Sequence, residues 1–225
     1  MSSGIDCVLF DLDGTLIDTA PDFDRVVNTL LKENNCPPVS EQQIRQTVSD
    51  GARALVKMSF QISESSPGFD QLNQRLLDLY EQELANTRAR LYPGLESMLN
   101  RFDEKGIKWG IVTNKPERYT TLLLEQLQLA QRCGSVICPD HVENRKPHPE
   151  PILLACQQLQ SGTERTVYVG DHLRDIQAAK NADVIAVAAA YGYLSPDARP
   201  EDWYADFIVH QSTQLEPLLN QLVFA

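Results

Sequence analysis

Positive charge is in short supply in this chain. Its 20 lysines and arginines face 31 acids, giving a net charge of −11 and a pI near 4.8. Nucleic acid and anionic membrane are disfavoured as partners, because both require a basic surface. No apolar run is long enough to cross a bilayer. The opening "MSSGID" has no basic region and no apolar run of signal length after it, so no export signal is read and a cytoplasmic protein is expected. The five cysteines (Cys7, Cys36, Cys133, Cys138 and Cys156) are odd in number, and no two have C-x-x-C spacing. They read as free thiols in a reducing compartment. His141, His148, His172 and His210 lack metal-ligand spacing, and His148, His172 and His210 read as surface residues. Repeats and low-complexity tracts are absent.

What is present is a globular composition, 42% hydrophobic and 23% charged, which argues against disorder. A length of 225 residues allows one large domain or two smaller ones. Six short apolar runs read as buried strands: 7–10, 108–113, 135–138, 166–170, 184–189 and 206–209. They are continuous rather than alternating, so both faces should be covered. Helical patterns lie between them at 95–104, 116–129, 149–159 and 174–182. Strand–helix alternation of this kind predicts an α/β fold with a parallel sheet wrapped by helices.

One region breaks the alternation. No strand is expected between the first run and "KWGIVT", only helices. Residues 21–33 carry Phe23, Val26, Val27, Leu30 and Leu31, an amphipathic stripe. Ser40 and Gln43 form a capping-box pattern, and residues 69–86 predict a further helix. "LYPGL" then turns the chain back. Residues 18–88 are therefore read as a helical cap inserted into a core of 1–17 and 89–225. Asp18 and Thr19, before Pro21, read as capping residues for its first helix.

The apolar run "CVLF" ends on Asp11, followed by Asp13, Gly14 and Thr15. In open parallel sheets, ligands bind beyond the carboxyl ends of the strands. Thr113 ends "GIVT", Asp171 and Asp175 follow "TVYVG", and Lys146 lies in the loop after "SVIC". Clustered carboxylates need a cation or a proton, and hard oxygen ligands suit Mg²⁺. The set reads as a phosphate site: acids for metal, Thr113 and Lys146 for phosphate oxygens, and Gly14 for close backbone approach with N–H groups free to face an anion. Asp11, ionised at an ordinary pKa of ~3.9, would attack phosphorus. Asp13, raised by neighbouring acids, would protonate the leaving alkoxide and then activate water.

"DLDGT", "VTN", "KP" and "GDHLRD", in this order over nearly the whole chain, resemble the haloacid dehalogenase superfamily of phosphatases. "FDLDGTLIDT" and "RKPHPEP" resemble its phosphoglycolate phosphatase branch. "GARALV" and "VICPDHVENRKPHPEPILLAC" resemble, more narrowly, bacterial N-acetylmuramic acid 6-phosphate phosphatases. The resemblance implies a Rossmann-like core with a helical cap closing over the substrate. It also implies Mg²⁺-dependent hydrolysis of a small phosphate monoester through an aspartyl phosphate. Asp11 is implied as nucleophile and metal ligand, Asp13 as acid/base and backbone-carbonyl ligand, Asp171 as metal ligand and Asp175 as support for its waters. Thr113, Asn114 and Lys146 are implied to hold the phosphoryl group. One departure is Asp183, where the family often has glycine.

Other functions share parts of this pattern. A sugar phosphomutase keeps all four motifs. A receiver module uses aspartate, threonine and lysine around Mg²⁺, but with its phosphorylated aspartate on a middle strand. A haloacid dehalogenase needs neither Asp13 nor a metal, and a scaffold with a dead site would not need every catalytic position filled. For the substrate, Arg53 in "DGARAL" is a candidate partner for a carboxylate, against the plainer reading of a surface arginine.

Overall fold

The computed structural model describes residues 4–223. Residues 1–3 and 224–225, the outer ends of the expected core segments, lie outside the described residues.

Six parallel strands form the sheet: β1 (Cys7–Phe10), β4 (Lys108–Val112), β5 (Val136–Ile137), β6 (Thr166–Gly170), β7 (Ile185–Ala189) and β8 (Phe207–Val209). Their order is β5-β4-β1-β6-β7-β8. The two faces explain the unbroken apolar runs. Val8 and Phe10 of β1 join one core and Cys7 and Leu9 the other; Val167 and Val169 of β6 point one way and Tyr168 the opposite way. The first core is covered by α5 (Leu95–Lys105), α6 (Glu117–Gln126) and α9 (Leu215–Val223), the second by α7 (Glu150–Leu159) and α8 (Leu173–Asn181).

From β1 the chain builds outward through β4 and β5, then crosses back and builds the other way through β6, β7 and β8. The switch falls between β1 and β6, where such sheets open a crevice for ligand.

The expectation of no further strand before "KWGIVT" needs correction. β2 (Ile17–Asp18) and β3 (Arg90–Leu91) pair antiparallel, Ile17 with Leu91 and Asp18 with Arg90. At two residues each they carry no readable period. Between them lie α1 (Ala20–Glu33), α2 (Glu41–Arg45), α3 (Ala52–Phe60) and α4 (Phe69–Leu84). The α1 stripe of Phe23, Val26, Val27, Leu30 and Leu31 is buried, and Phe23 stacks on Tyr80 of α4 at 4.3 Å. Ser40 and Gln43 form the expected capping box. Thr19, by contrast, makes no capping bond from its side chain. α6 stops at Gln126, short of the expected 129, and Gln128 adopts a left-handed φ of 58°. Asp183 also takes a left-handed φ of 55°, a conformation aspartate tolerates better than most residues. All five cysteines are free, and no helix among the described residues is long and apolar enough to cross a membrane.

Candidate active site

β1 sits at the centre of the sheet, so its carboxyl end is flanked by those of β4 and β6. Asp11 follows β1, and its amide is held by Val169 O at 2.9 Å. Thr113 follows β4, its amide bonded to Ile137 O at 2.9 Å. Asp171 follows β6, and Asp175 stands in the first turn of α8. Oxygen atoms of Asp11, Asp171 and Asp175 lie within 4.8 Å of one another, and all three residues are buried.

Lys146 enters this cluster from the loop after β5. Its Nζ lies 2.7 Å from Asp11 Oδ1 and 2.7 Å from Asp175 Oδ1, and it donates to Val112 O at 2.9 Å. Burial alone would lower its pKa, but Asp11 and Asp175 raise it, so the ammonium is retained. One cation does not balance three carboxylates. Burial, reinforced by Asp175 and offset in part by Lys146, pushes Asp11 up to about 6. Burial and the charges of Asp11 and Asp175 drive Asp171 well above the usual carboxylate range. Excess buried negative charge on hard oxygen donors suits a divalent metal.

Asp171 is fixed on several sides. Its oxygens accept from Thr15 Oγ1 at 3.1 Å, Tyr193 N at 2.8 Å and Ser49 Oγ at 3.2 Å. Ser49 lies in the helical stretch between β2 and β3, so that stretch touches the acidic cluster directly. Asp175 joins α8's capping box by accepting from His172 N at 3.1 Å.

Asp13 does not share this environment. The expectation that acids would surround it is corrected: its carboxylate faces Lys115 Nζ at 3.0 Å and 3.3 Å and accepts from Thr19 Oγ1 at 2.6 Å. Thr19 thus serves Asp13 rather than the helix. The main repulsion is among Asp11, Asp171 and Asp175, and Asp13 adds a smaller push to Asp11. Lys115 packs over Tyr80, 4.5 Å from its ring centroid. Burial is the largest single influence and opposes its charge, but Asp13 and Tyr80 together outweigh it and hold the lysine protonated.

Gly14 is needed for a reason other than backbone approach. Its N–H donates to Ile17 O at 2.9 Å and is not free for an anion. Its φ is +84°, and a Cβ there would lie 2.2 Å from Asp171 Oδ2. The glycine makes room for the acidic cluster. Thr113 Oγ1 accepts from Lys115 N at 3.1 Å. Asn114 donates through Nδ2 to Lys146 O at 3.2 Å, while its buried Oδ1 has no partner among the described residues.

A cavity of about 530 Å³ opens over these groups. Its floor includes Asp11, Asp13, Thr113 and Lys146; Phe23, Tyr80 and Tyr119 contribute aromatic surface, with His172, Arg145 and Arg174 also lining it. Arg53 is not brought there. It is half exposed, paired with Glu64 at 2.8 Å and Asp70 at 3.2 Å, and lies over Phe69.

A model of the haloacid dehalogenase-like hydrolases matches residues 8–189, the stretch that carries the acidic cluster, Lys115 and Lys146. This chain belongs to that family. Among family relatives, it is 42% identical to the N-acetylmuramic acid 6-phosphate phosphatase of Pseudomonas aeruginosa, over 95% of this chain and 94% of that protein. It is 44% identical to the phosphoglycolate phosphatase of Xanthomonas campestris pv. campestris, over 92% and 93%. A haloacid dehalogenase-like fold also superposes on a crystal structure from Haemophilus somnus described as a predicted phosphoglycolate phosphatase. The TM-score is 0.83 at 24% identity, covering 97% of this chain and 99% of that one.

The residue of this family site that sequence reasoning missed is Lys115. A signal existed. It sits just before the N-terminus of α6, where the helix dipole disfavours a cation, and a lysine there calls for an acid partner. His172, expected on the surface, also lines the cavity.

Proposed function

We propose that the chain is a phosphoric monoester hydrolase that acts on a small phosphate monoester in the manner of a phosphoglycolate phosphatase, with Mg²⁺ held by Asp11, Asp171 and Asp175. The observation that carries this reading is the buried meeting of Asp11, Asp171, Asp175 and Lys146, a cluster whose Asp11, Asp175 and Lys146 open into one cavity. Bound there, Mg²⁺ supplies Lewis acidity to the phosphoryl oxygens and offsets the acids' repulsion of an anionic substrate. Asp13 would contribute to it only a main-chain carbonyl, since its side chain is engaged by Lys115.

The residues divide the work. Asp11, held at Oδ1 by Lys146, attacks phosphorus with its carboxylate; the P–O ester bond breaks and an aspartyl phosphate forms. The departing alkoxide takes a proton from Asp13, which enters the step protonated and is left as a carboxylate that Lys115 Nζ steadies at 3.0 Å. Asp13 then accepts a proton from the incoming water, whose oxygen joins phosphorus as the Asp11–phosphorus bond breaks. Phosphate leaves and Asp11 is regenerated. Thr113 and Lys146 hold the phosphoryl oxygens. Residues 18–88, taken as the cap, exclude bulk water while this occurs.

A second reading, hydrolysis of N-acetylmuramic acid 6-phosphate, is favoured by the cavity's size and walls. About 530 Å³ lined partly by Phe23, Tyr80 and Tyr119 suits a sugar ring better than a two-carbon acid. Five free thiols suit a reducing, cytoplasmic setting.

The test is phosphate release, with Mg²⁺ and with chelator, over 2-phosphoglycolate, N-acetylmuramic acid 6-phosphate and glucose phosphates. Release that requires Mg²⁺ is expected. Isomerised sugar phosphate without free phosphate would indicate a mutase instead.

A further inference from the structure

The cavity's charges can be matched one by one. Four cations with permanent charge line it: Lys115, Arg145, Lys146 and Arg174. Lys115 is paired with Asp13, Lys146 with Asp11 and Asp175, and Arg174 with Asp50 at 3.0 Å. Arg145 alone has no acid partner and no side-chain hydrogen bond among the described residues. In a chain of net charge −11, an exposed arginine that lines the reaction cavity and carries no acid partner stands out.

Its backbone is also held. Glu150 accepts from Glu143 N at 2.8 Å and from Asn144 N at 3.0 Å, just before Arg145. Arg145 O accepts from His148 N at 3.1 Å. Just after it, Lys146 O accepts from Asn114 Nδ2 at 3.2 Å, and Lys146 Nζ reaches Asp11. The guanidinium therefore springs from a fixed loop that is registered on the nucleophile, and only its side chain remains to be ordered by ligand.

We infer that Arg145, next to the phosphoryl-binding Lys146 and facing the cavity without an acid of its own, binds a carboxylate of the substrate and selects carboxylated phosphate monoesters. The inference rests on the phosphatase reading and deepens it. A planar guanidinium pairs bidentately with a carboxylate, through two parallel charge-assisted hydrogen bonds. The role first considered for Arg53 passes to Arg145, because Glu64 and Asp70 already hold Arg53 outside the cavity.

The experiment uses substrate pairs that differ in the carboxylate: N-acetylmuramic acid 6-phosphate against N-acetylglucosamine 6-phosphate, and 2-phosphoglycolate against ethyl phosphate. kcat and KM are measured for the parent, Arg145→Ala and Arg145→Lys. The parent is expected to prefer the carboxylated member of at least one pair. In Arg145→Ala that preference should shrink by about 10- to 100-fold, the range of a charge-assisted hydrogen bond, with the loss mainly in KM. Arg145→Lys keeps the charge but not the fork and should fall between. Equal losses on both members, or none, would mean that Arg145 does not read the carboxylate. A parent that cleaves phosphate esters with no carboxylate preference overturns this inference and leaves the phosphatase reading intact. A parent that cleaves none of them overturns both.

Discussion

Lys115 and Asp13 form a buried ion pair, Nζ to Oδ1 at 3.0 Å, with the lysine side chain 6% exposed. The pair joins the start of α6 to the segment just after β1. Lys115→Met should lower kcat by about 10²- to 10⁴-fold, the usual worth of proton transfer in the transition state, with a smaller change in KM. It should also lower the melting temperature, because Asp13 loses its counter-charge in a largely buried setting. Asp13→Asn added to Lys115→Met should recover most of that melting temperature and none of the activity. Recovery of activity in the double variant would remove the pair from proton transfer.

Asp11→Asn should abolish turnover and keep the fold, as read by phosphate release and circular dichroism. It should also change how stability varies with pH in metal-free protein. Asp11 is pushed up from 3.8 to about 6 on folding. Its contribution to stability is therefore fully present below about pH 4 and lost as pH rises through 6. At pH 7.5 the metal-free asparagine variant should melt above the parent, and the gap should close by about pH 4. Mg²⁺ should raise the melting temperature of the parent at pH 7.5. A gap that widens on acidification would contradict the repulsion described at this cluster.

Gly14→Ala places a methyl group 2.2 Å from Asp171 Oδ2 and 2.8 Å from Tyr193, at a φ of +84°. Backbone strain alone costs about 1–3 kcal/mol, and the collision displaces an acid proposed to hold Mg²⁺. Both the denaturation midpoint and the Mg²⁺ dependence of activity should suffer. Intact Mg²⁺ affinity in a folded Gly14→Ala protein would show that Asp171 can move without consequence.

Asp50, in the insert, meets Arg174 at 3.0 Å and His172 Nε2 at 3.4 Å, both on the core side. Hydrogen bonding from His172 and the nearby cations hold its carboxyl below the usual range. Exposed pairs of this kind contribute only about 0–1 kcal/mol, so Asp50→Ala should barely change melting. If the contact helps close the insert over the cavity, KM should rise several-fold while the melting temperature stays put. Unchanged KM would assign the contact to the surface alone.

The main strands were legible because burial on both faces leaves an unbroken apolar run, as in "CVLF" and "TVYVG". The amphipathic α1 was legible from its stripe. β2 and β3 were not, because two residues carry no period. α3, between Gly51 and the left-handed Gln61, presents a weaker pattern, with only Leu55 and Val56 buried. At the site, the order of strand ends brought out Asp11 and Asp171 directly after β1 and β6, and Asp175 and Lys146 in the helix and loop that follow β6 and β5. The partners that tertiary packing supplies were hidden. Nothing in "TNKPER" says that its lysine meets Asp13, and nothing in "DGARAL" says that Arg53 turns toward Glu64 and Asp70.

The ladder between Ile17–Asp18 and Arg90–Leu91 makes the chain leave the sheet layer and return to it at neighbouring points. Whatever is spliced between those two strands, the core receives the same pair of ends at the same spacing. The helices between them can therefore lengthen, shorten or repack without moving the points at which the chain leaves and rejoins the strand tips.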